Sequence, residues 1–75
     1  MCGIVAVTGY KKALPLLING LEKLEYRGYD SAGIAIINSE TNSISCKKAE
    51  GKLKNLISNL NDHNIPGTVG IGHTR

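Results

Sequence analysis

Apolar residues recur with two different spacings along this chain, and the alternation between them limits its fold more than any other feature. The first run, Cys2-Gly-Ile-Val-Ala-Val-Thr8, is rich in β-branched residues and ends at Gly9, which is typical of a buried strand. Leucines at positions 14, 17, 21 and 24 then recur at steps of three and four residues, the spacing of one helix face. Proline is tolerated in the first helical turn, so Pro15 puts the helix start near residues 12–14, and Gly28 predicts its end.

The second half of the chain repeats the two spacings in the order strand, strand, helix, strand. Residues 32–37 and 43–48 predict two strands, and the turn-forming segment Ser39-Glu-Thr-Asn42 between them predicts a hairpin. An amphipathic helix is predicted over residues 52–61, with a stripe that we expect to pack in the core, formed by Leu53, Leu56, Ile57 and Leu60. A loop containing Pro66 and a last strand over residues 68–74 complete an α+β fold with the order β-α-β-β-α-β.

Size and charge argue against several classes of protein. Seventy-five residues allow one domain, and a domain of this length buries only about 60% of the surface of its unfolded chain. The net charge of +3 is mild, and the lysines at positions 47, 48, 52 and 54 have no interleaved aromatic residues, so they predict a solvated face and no nucleic-acid partner. The longest apolar runs fall short of the roughly 20 residues that cross a bilayer. We therefore expect a cytoplasmic protein with no membrane partner.

The chain has two cysteines, Cys2 and Cys46, which are too few for a disulfide framework. The cysteines and histidines show no metal-ligand spacing, so we expect neither a metal nor a cofactor. Cys2 has a special position, because removal of Met1 would leave a free α-amino group on the residue that carries the thiol. The reference pKa values of an α-amine, about 7.7–8.0, and of a thiol, about 8.5, are both close to neutrality. One residue could therefore supply nucleophile and base, unless Cys2 is only a small buried strand residue.

Three segments favour the nucleophile: Cys2-Gly-Ile-Val5, Leu24-Glu-Tyr-Arg-Gly-Tyr-Asp-Ser-Ala-Gly33 and Gly70-Ile-Gly-His-Thr-Arg75. Together they resemble the glutaminase domain of the glutamine:fructose-6-phosphate aminotransferase family, a group of class II glutamine amidotransferases in the N-terminal-nucleophile hydrolase superfamily. The resemblance covers essentially all 75 residues. The middle segment contains Tyr-Arg-Gly-Tyr-Asp-Ser-Ala-Gly. It favours this family over the purine-pathway amidotransferases, whose corresponding segment looks more like His-Arg-Gly-Gln-Glu-Ser-Ala-Gly. One departure from the family is Ala6, where relatives commonly have glycine.

The resemblance implies that Cys2 is the catalytic residue of a glutaminase. Its thiolate would attack the side-chain amide carbon of glutamine, ammonia would leave after proton donation by the α-amine, and water would hydrolyse the γ-glutamyl thioester to glutamate. In this family the ammonia converts fructose 6-phosphate to glucosamine 6-phosphate for hexosamine biosynthesis, and we expect the full-length enzyme to be a homodimer. The arginine of the Gly-His-Thr-Arg motif, here Arg75, would bind the α-carboxylate of glutamine, a task suited to a planar bidentate guanidinium.

Arg27 and Asp30 lie three residues apart in a loop flanked by glycines, and are expected to support the active site. An ion pair between them could shape the wall near Cys2. The alternative is an ordinary surface pair, which contributes about 0–1 kcal/mol.

We expect structural roles for the two histidines and for the second cysteine. The N-terminal amine makes a histidine base redundant, so we expect His73 to be a strand residue and His63 a loop residue. Cys46 shares a strand face with Ile44 and is expected to be partly buried.

The fold implied by the resemblance is the N-terminal portion of a four-layer αββα sandwich. Residues 1–75 would form an incomplete glutaminase domain, because relatives continue from Arg75 into Trp-Ala-Thr-His-Gly, and their oxyanion-hole Asn-Gly pair and amine-binding Asp follow further on. The sugar-phosphate isomerase module is expected to be absent. Loss of one oxyanion donor lowers the rate by about 10²–10³, so we expect this segment to be inactive alone.

Other functions stay open on the sequence alone. The chain could be a segment of another class II amidotransferase, which would share the chemistry of Cys2 but not the sugar phosphate. A non-catalytic interaction module would instead pair through the open strand edges of an unfinished sheet, with itself or with a complementary fragment. A small basic RNA-binding domain would lose affinity steeply as salt is added.

Overall fold

The computed structural model of the chain describes residues 3–24, 30–60 and 65–75. Its elements in chain order are β1 (Gly3–Val7), α1 (Ala13–Leu24), β2 (Ser31–Asn38), β3 (Ser43–Glu50), α2 (Leu53–Asn59) and β4 (Gly70–Thr74). The predicted α+β class and the order strand, helix, strand, strand, helix, strand are confirmed. The bounds differ by a few residues, since β3 continues to Glu50 and β4 begins at Gly70, two residues later than predicted.

The four strands form one antiparallel sheet in the order β1-β4-β2-β3. β4, the last strand in the sequence, lies between β1 and β2 and joins them. Thr74 pairs with Gly3 on one side and with Ala32 on the other. The two ends of the described chain are therefore adjacent in the sheet.

The predicted hairpin joins β2 and β3, and Asn38 organises its turn. The side-chain Oδ1 of Asn38 accepts hydrogen bonds from the backbone N–H groups of Glu40 and Thr41, at 2.9 and 3.3 Å. Asn42 has a φ of +59°, in the left-handed region that asparagine tolerates better than most residues. The turn-forming composition of this segment thus reflects specific side-chain contacts.

Both helices pack on the same face of the sheet, which we call the inner face. One core unites leucines of α1 and α2 with alternate residues of β2: Leu17, Leu21, Leu53, Leu56, Leu60, Ala32, Ile34 and Ile36. The glycines of β4 admit α1, because a Cβ built on Gly70 would lie 3.0 Å from Leu17 Cδ1, and one on Gly72 would lie 3.2 Å from Leu21 Cδ1. Small residues at these two positions let the helix approach the strand closely.

The predicted core stripe of α2 is wrong at one position. Leu53, Leu56 and Leu60 are buried, but Ile57 is 42% exposed. Successive helical residues are rotated by about 100°, so Ile57 lies beyond the edge of the face that Leu56 presents to the sheet. The α1 stripe is confirmed at Leu17 and Leu21.

We expect the Gly20→Ala substitution to destabilise the protein through one contact between α1 and β1. A Cβ on Gly20 would lie 2.7 Å from Cγ1 of Val5 and 3.0 Å from its Cγ2. Overpacking of this kind costs about 1–3 kcal/mol, which exceeds the gain of about 1 kcal/mol that alanine brings to a helix interior. In the Val5→Ala background the clash is removed, so Gly20→Ala should stabilise the protein. Urea unfolding of the four proteins of this double-mutant cycle measures the coupling, and an equal effect of Gly20→Ala in both backgrounds would contradict it.

Candidate active site

Arg75, the predicted glutamine-binding residue, is exposed and directly follows β4. Its backbone is fixed on both sides. The N–H of Arg75 donates to the carbonyl oxygen of Ser31 at 2.9 Å, and the carbonyl oxygen of Arg75 accepts a hydrogen bond from the N–H of Asp30. The strand pairing of β4 with β2 therefore continues one residue past the assigned strand, and the guanidinium projects from an anchored main chain.

Asp30, predicted to support the site, ties three segments together through its main chain. Besides its bond to Arg75, its carbonyl oxygen accepts a hydrogen bond from the N–H of Gly51 at 2.7 Å. Gly51 follows β3 and has a φ of +83°, which favours glycine. Asp30 thus lies where β2 begins and where β3 and β4 end, and the residue is exposed.

A polar cleft of about 370 Å³ lies at this end of the sheet. Its lining residues are Ser31, Lys48, Ala49, Glu50 and Arg75. Two cationic groups, a hydroxyl and a carboxylate border an open depression, which suits a small zwitterionic or anionic molecule. Charge-assisted hydrogen bonds from a guanidinium to a carboxylate are the strongest contacts that this set can make.

The face opposite the helices, which we call the outer face, carries this cleft. Paired residues of neighbouring antiparallel strands point to the same side of a sheet. Arg75, Ser31 and Glu50 therefore form one row, and His73, Gly33 and Lys48 form the next row inward. Polar residues are concentrated at this one end of the outer face.

His73 is a half-buried residue of β4, as predicted. A Cβ on Gly33 would lie 2.9 Å from both His73 Nε2 and Lys48 Cγ. The absence of a side chain at Gly33 thus gives room for the imidazole ring and the lysine stem beside the cleft. This packing accounts for the glycine that ends the Asp-Ser-Ala-Gly segment.

Thr74, which the sequence did not single out, precedes Arg75 in the chain but lies on the inner face of the sheet, away from the cleft. In the described part of the chain it is the one buried polar side chain, at 3% exposure. Its Oγ1 would lie 3.0 Å from a Cβ on Gly3, and Cδ1 of Leu24 would lie 2.7 Å from the same atom. Gly3 is thus closely enclosed by β4 and α1. Thr74 belongs to the Gly-His-Thr-Arg motif, in which Arg75 is the residue predicted to bind substrate.

Two predicted site residues, Cys2 and Arg27, lie outside the described residues, as does His63. The expected partial burial of Cys46 is wrong, because its thiol is free and exposed. Cys46 does share a face with Ile44, but that face is the outer one, which the helices do not cover. Alternation in β3 correctly placed Cys46 and Ile44 on the same face, but it did not indicate which face of the sheet the helices cover.

In the described ranges, no helix is long and apolar enough to cross a membrane. The same ranges contain no group of three or more His, Cys, Asp or Glu side chains placed to hold a metal ion.

No family model matches the chain. Several curated proteins that are similar to it share one name. The chain is 56% identical to the glutamine--fructose-6-phosphate aminotransferase [isomerizing] of Clostridium perfringens and 52% identical to that of Bacteroides thetaiotaomicron. Each match covers 100% of this chain and 12% of the relative, so the chain spans about one eighth of their length.

A solved structure described as the allosteric regulatory enzyme of purine biosynthesis has a similar fold, with a TM-score of 0.81 at 25% identity. The match covers 100% of this chain and 16% of that one. The predicted N-terminal-nucleophile amidotransferase fold is thereby confirmed for this segment. Over all of its residues the chain is 51–56% identical to the corresponding part of several glutamine--fructose-6-phosphate aminotransferases.

Proposed function

We propose that this chain carries the nucleophile and the carboxylate-binding arginine of a glutamine-hydrolysing site. One observation carries the proposal, the pairing of Gly3 with Thr74. Cys2 is bonded to Gly3 and Arg75 to Thr74, so covalent geometry keeps the Cα atoms of Cys2 and Arg75 within about 13 Å of each other. Residues separated by almost the whole sequence are thereby kept within reach of one small substrate.

The proposed reaction begins after removal of Met1. The α-amine of Cys2 takes the thiol proton, and the thiolate attacks the side-chain amide carbon of glutamine. The C–N bond breaks as the amine returns the proton to the leaving nitrogen, which departs as ammonia. Water then attacks the γ-glutamyl thioester, releases glutamate and restores the thiol. The chain needs no separate histidine base for these steps.

Substrate orientation is proposed to come from Arg75. Its main chain is held by Ser31 and Asp30, so the guanidinium starts from a fixed point and loses less entropy when it binds a carboxylate. Glutamine has its α-carboxylate and its amide at opposite ends of a short aliphatic chain. A carboxylate bound at Arg75 would therefore direct the amide toward the start of β1. Asp30 supports the site by positioning Arg75, and Arg27 is proposed to act in the same loop.

The use of the ammonia would take place in a longer protein, such as the relatives described above. Their printed names support glutamine and fructose 6-phosphate as the substrates, and the resemblance implies glucosamine 6-phosphate as the product. We propose the same use here, in a cytoplasmic homodimeric enzyme without nucleic-acid or membrane partners. The 75-residue chain alone would turn over glutamine poorly, because it spans 12% of such relatives.

Labelling with 6-diazo-5-oxo-L-norleucine, an alkylating analogue of glutamine, tests the proposal. Intact mass and peptide mapping should show one adduct, on Cys2 and not on Cys46. The Cys2→Ala variant should lose the adduct, and Cys46→Ser should keep it. Arg75→Lys removes the bidentate contact with the carboxylate, worth about 1.5–3 kcal/mol for a charged hydrogen bond, so labelling should slow at least about tenfold.

Iodoacetamide provides the matched control, because it alkylates thiols but has no carboxylate for Arg75 to bind. Its rate at Cys2 should be the same in Arg75→Lys and in the unmodified sequence. Equal labelling of Cys2 and Cys46 by the glutamine analogue would contradict the proposed site. So would an equal loss of reactivity toward both reagents in Arg75→Lys, since that would indicate a general disturbance of β1.

A further inference from the structure

The start of β2, next to Arg75, departs from regular sheet geometry. In a regular antiparallel sheet, the two residues of a hydrogen-bonded pair exchange both of their N–H···O bonds with each other. Arg75 instead donates to the carbonyl oxygen of Ser31 and accepts from the N–H of Asp30. Two consecutive residues therefore face one residue, which is the arrangement of a β-bulge. Bulges bend a strand locally and often aim a side chain beside an active site.

The bulge directs the two backbone groups of Asp30 toward different strands. Its N–H bonds to Arg75 at the end of β4, and its carbonyl oxygen accepts the N–H of Gly51, after β3, at 2.7 Å. A displacement of Gly51 would therefore shift Asp30 and, through it, the main chain from which the guanidinium of Arg75 projects. The contacts that hold Gly51 in place thus help to determine where the guanidinium lies.

Asn55, an exposed residue of α2, holds the end of β3. Its side-chain Nδ2 donates to the carbonyl oxygen of Glu50, the residue before Gly51, at 2.9 Å. Gly51 has a φ of +83°, and a Cβ there would lie 2.8 Å from Asn55 Nδ2. A glycine at this position therefore permits both the left-handed backbone and the close approach of the side-chain amide.

We propose that Gly51 and Asn55 are positioning residues for glutamine, which act on Arg75 through the bulge at Asp30. This role rests on the proposed function of Arg75. Neither Gly51 nor Asn55 lines the polar cleft, so neither is expected to touch the substrate. Their contribution is to hold the guanidinium in one place before glutamine arrives, which reduces the entropy lost on binding. Loss of either should weaken binding without changing the reactivity of the Cys2 thiol.

The concentration dependence of labelling by the glutamine analogue separates binding from reaction. Its half-saturation concentration reports binding, and its limiting rate reports the reaction at Cys2. Asn55→Leu removes the amide donor, keeps a side chain of similar size and brings in a better helix former, so α2 is not weakened. The half-saturation concentration should rise about twofold to tenfold, as expected for loss of one hydrogen bond. The limiting rate, and the rate with iodoacetamide, should stay the same.

Gly51→Ala tests the same contact from the backbone. The added Cβ would meet Asn55 Nδ2, which is the end of a flexible side chain, so the amide should leave Glu50 and the half-saturation concentration should again rise. Ser58→Leu is the matched control, because Ser58 is exposed and lies on α2 about one turn beyond Asn55. Its half-saturation concentration should be unchanged. Circular dichroism verifies that each variant is folded.

Two readouts separate positioning from a general contribution to stability. In the Arg75→Lys background, Asn55→Leu should have little further effect on the half-saturation concentration, because its effect passes through Arg75. Hydrogen exchange of the Arg75 amide, which donates to Ser31, should be faster in Asn55→Leu and unchanged in Ser58→Leu. This second measurement does not depend on glutamine chemistry.

The role of Gly51 and Asn55 can fail separately from the proposed function. If Arg75→Lys raises the half-saturation concentration but Asn55→Leu and Gly51→Ala do not, the positioning role is overturned and the proposed function stands. Equal effects of Asn55→Leu with Arg75 and with the lysine would overturn the role too. If Arg75→Lys leaves the half-saturation concentration unchanged, the proposed function fails, and the positioning role fails with it.

Discussion

Replacement of Gly67 by alanine is expected to lower the free energy of unfolding by about 3 kcal/mol or more, a large part of the stability of a domain of this size. Gly67 has a φ of +155°, and a Cβ there would lie 2.3 Å from the carbonyl oxygen of Ile37 and 2.8 Å from Ile36 Cγ2. The first of these atoms is backbone within the sheet, so it cannot move aside cheaply. The carbonyl oxygen of Gly67 also accepts the hydrogen bond of the Ala13 N–H, at 2.8 Å, where α1 begins.

Gly9→Ala is the matched control for this prediction. Gly9 has a φ of +149°, close to that of Gly67, but a Cβ there would have no atom within 4 Å. It bears the backbone strain alone, so its loss of stability should be clearly smaller than that of Gly67→Ala. Urea unfolding followed by circular dichroism measures both. Equal losses would show that the contact with Ile37 contributes nothing.

Leu17→Ala should produce the other large effect, a loss of about 2–5 kcal/mol. Leu17 is fully buried and contacts the space above Gly70, so its removal leaves a cavity between α1 and the centre of the sheet. Neighbouring glycines have no side chains that could fill it. A reduced urea midpoint with an unchanged m-value is the expected measurement.

The adjacent Leu16 gives the comparison. It occupies the same helix and has the same helix propensity, but it is 39% exposed. Leu16→Ala should therefore lower the free energy of unfolding by well under half as much as Leu17→Ala, because folding removes less apolar area of the Leu16 side chain from contact with water. A similar loss for both variants would mean that helix formation, and not core packing, determines the stability of α1.

Sequence patterns predicted the elements well but not which side of the sheet is packed. Val69 and Ile71 alternate with Gly70 and Gly72, and this alternation correctly predicted β4. The glycines are the residues that face α1, whereas Val69 and Ile71 are exposed on the outer face. Periodicity identifies two faces of a strand, and only the position of the next layer determines which is buried. The error at Cys46 has the same origin.

The candidate site was predictable in part for a different reason. Asp30 and Arg75 belong to recognisable motifs, and the structure joins their main chains. The predicted hairpin of β2 and β3 places Lys48 and Glu50 beside Ser31, but Arg75 reaches them only because β4 pairs with β2, and local spacing carries no information on such long-range pairing. The cleft therefore had no signal in the linear sequence.

The central place of β4 has a consequence for synthesis of the protein on the ribosome. Until β4 has left the exit tunnel, β1 has no neighbour in the sheet, and the hairpin of β2 and β3 lacks the strand that links it to the N-terminus. Contacts between residues so distant in sequence form slowly. The nascent chain must therefore keep its apolar N-terminal strand unpaired while about 70 residues are made, which at 5–20 residues per second lasts for several seconds. During that interval the strand is available to chaperones or to neighbouring nascent chains.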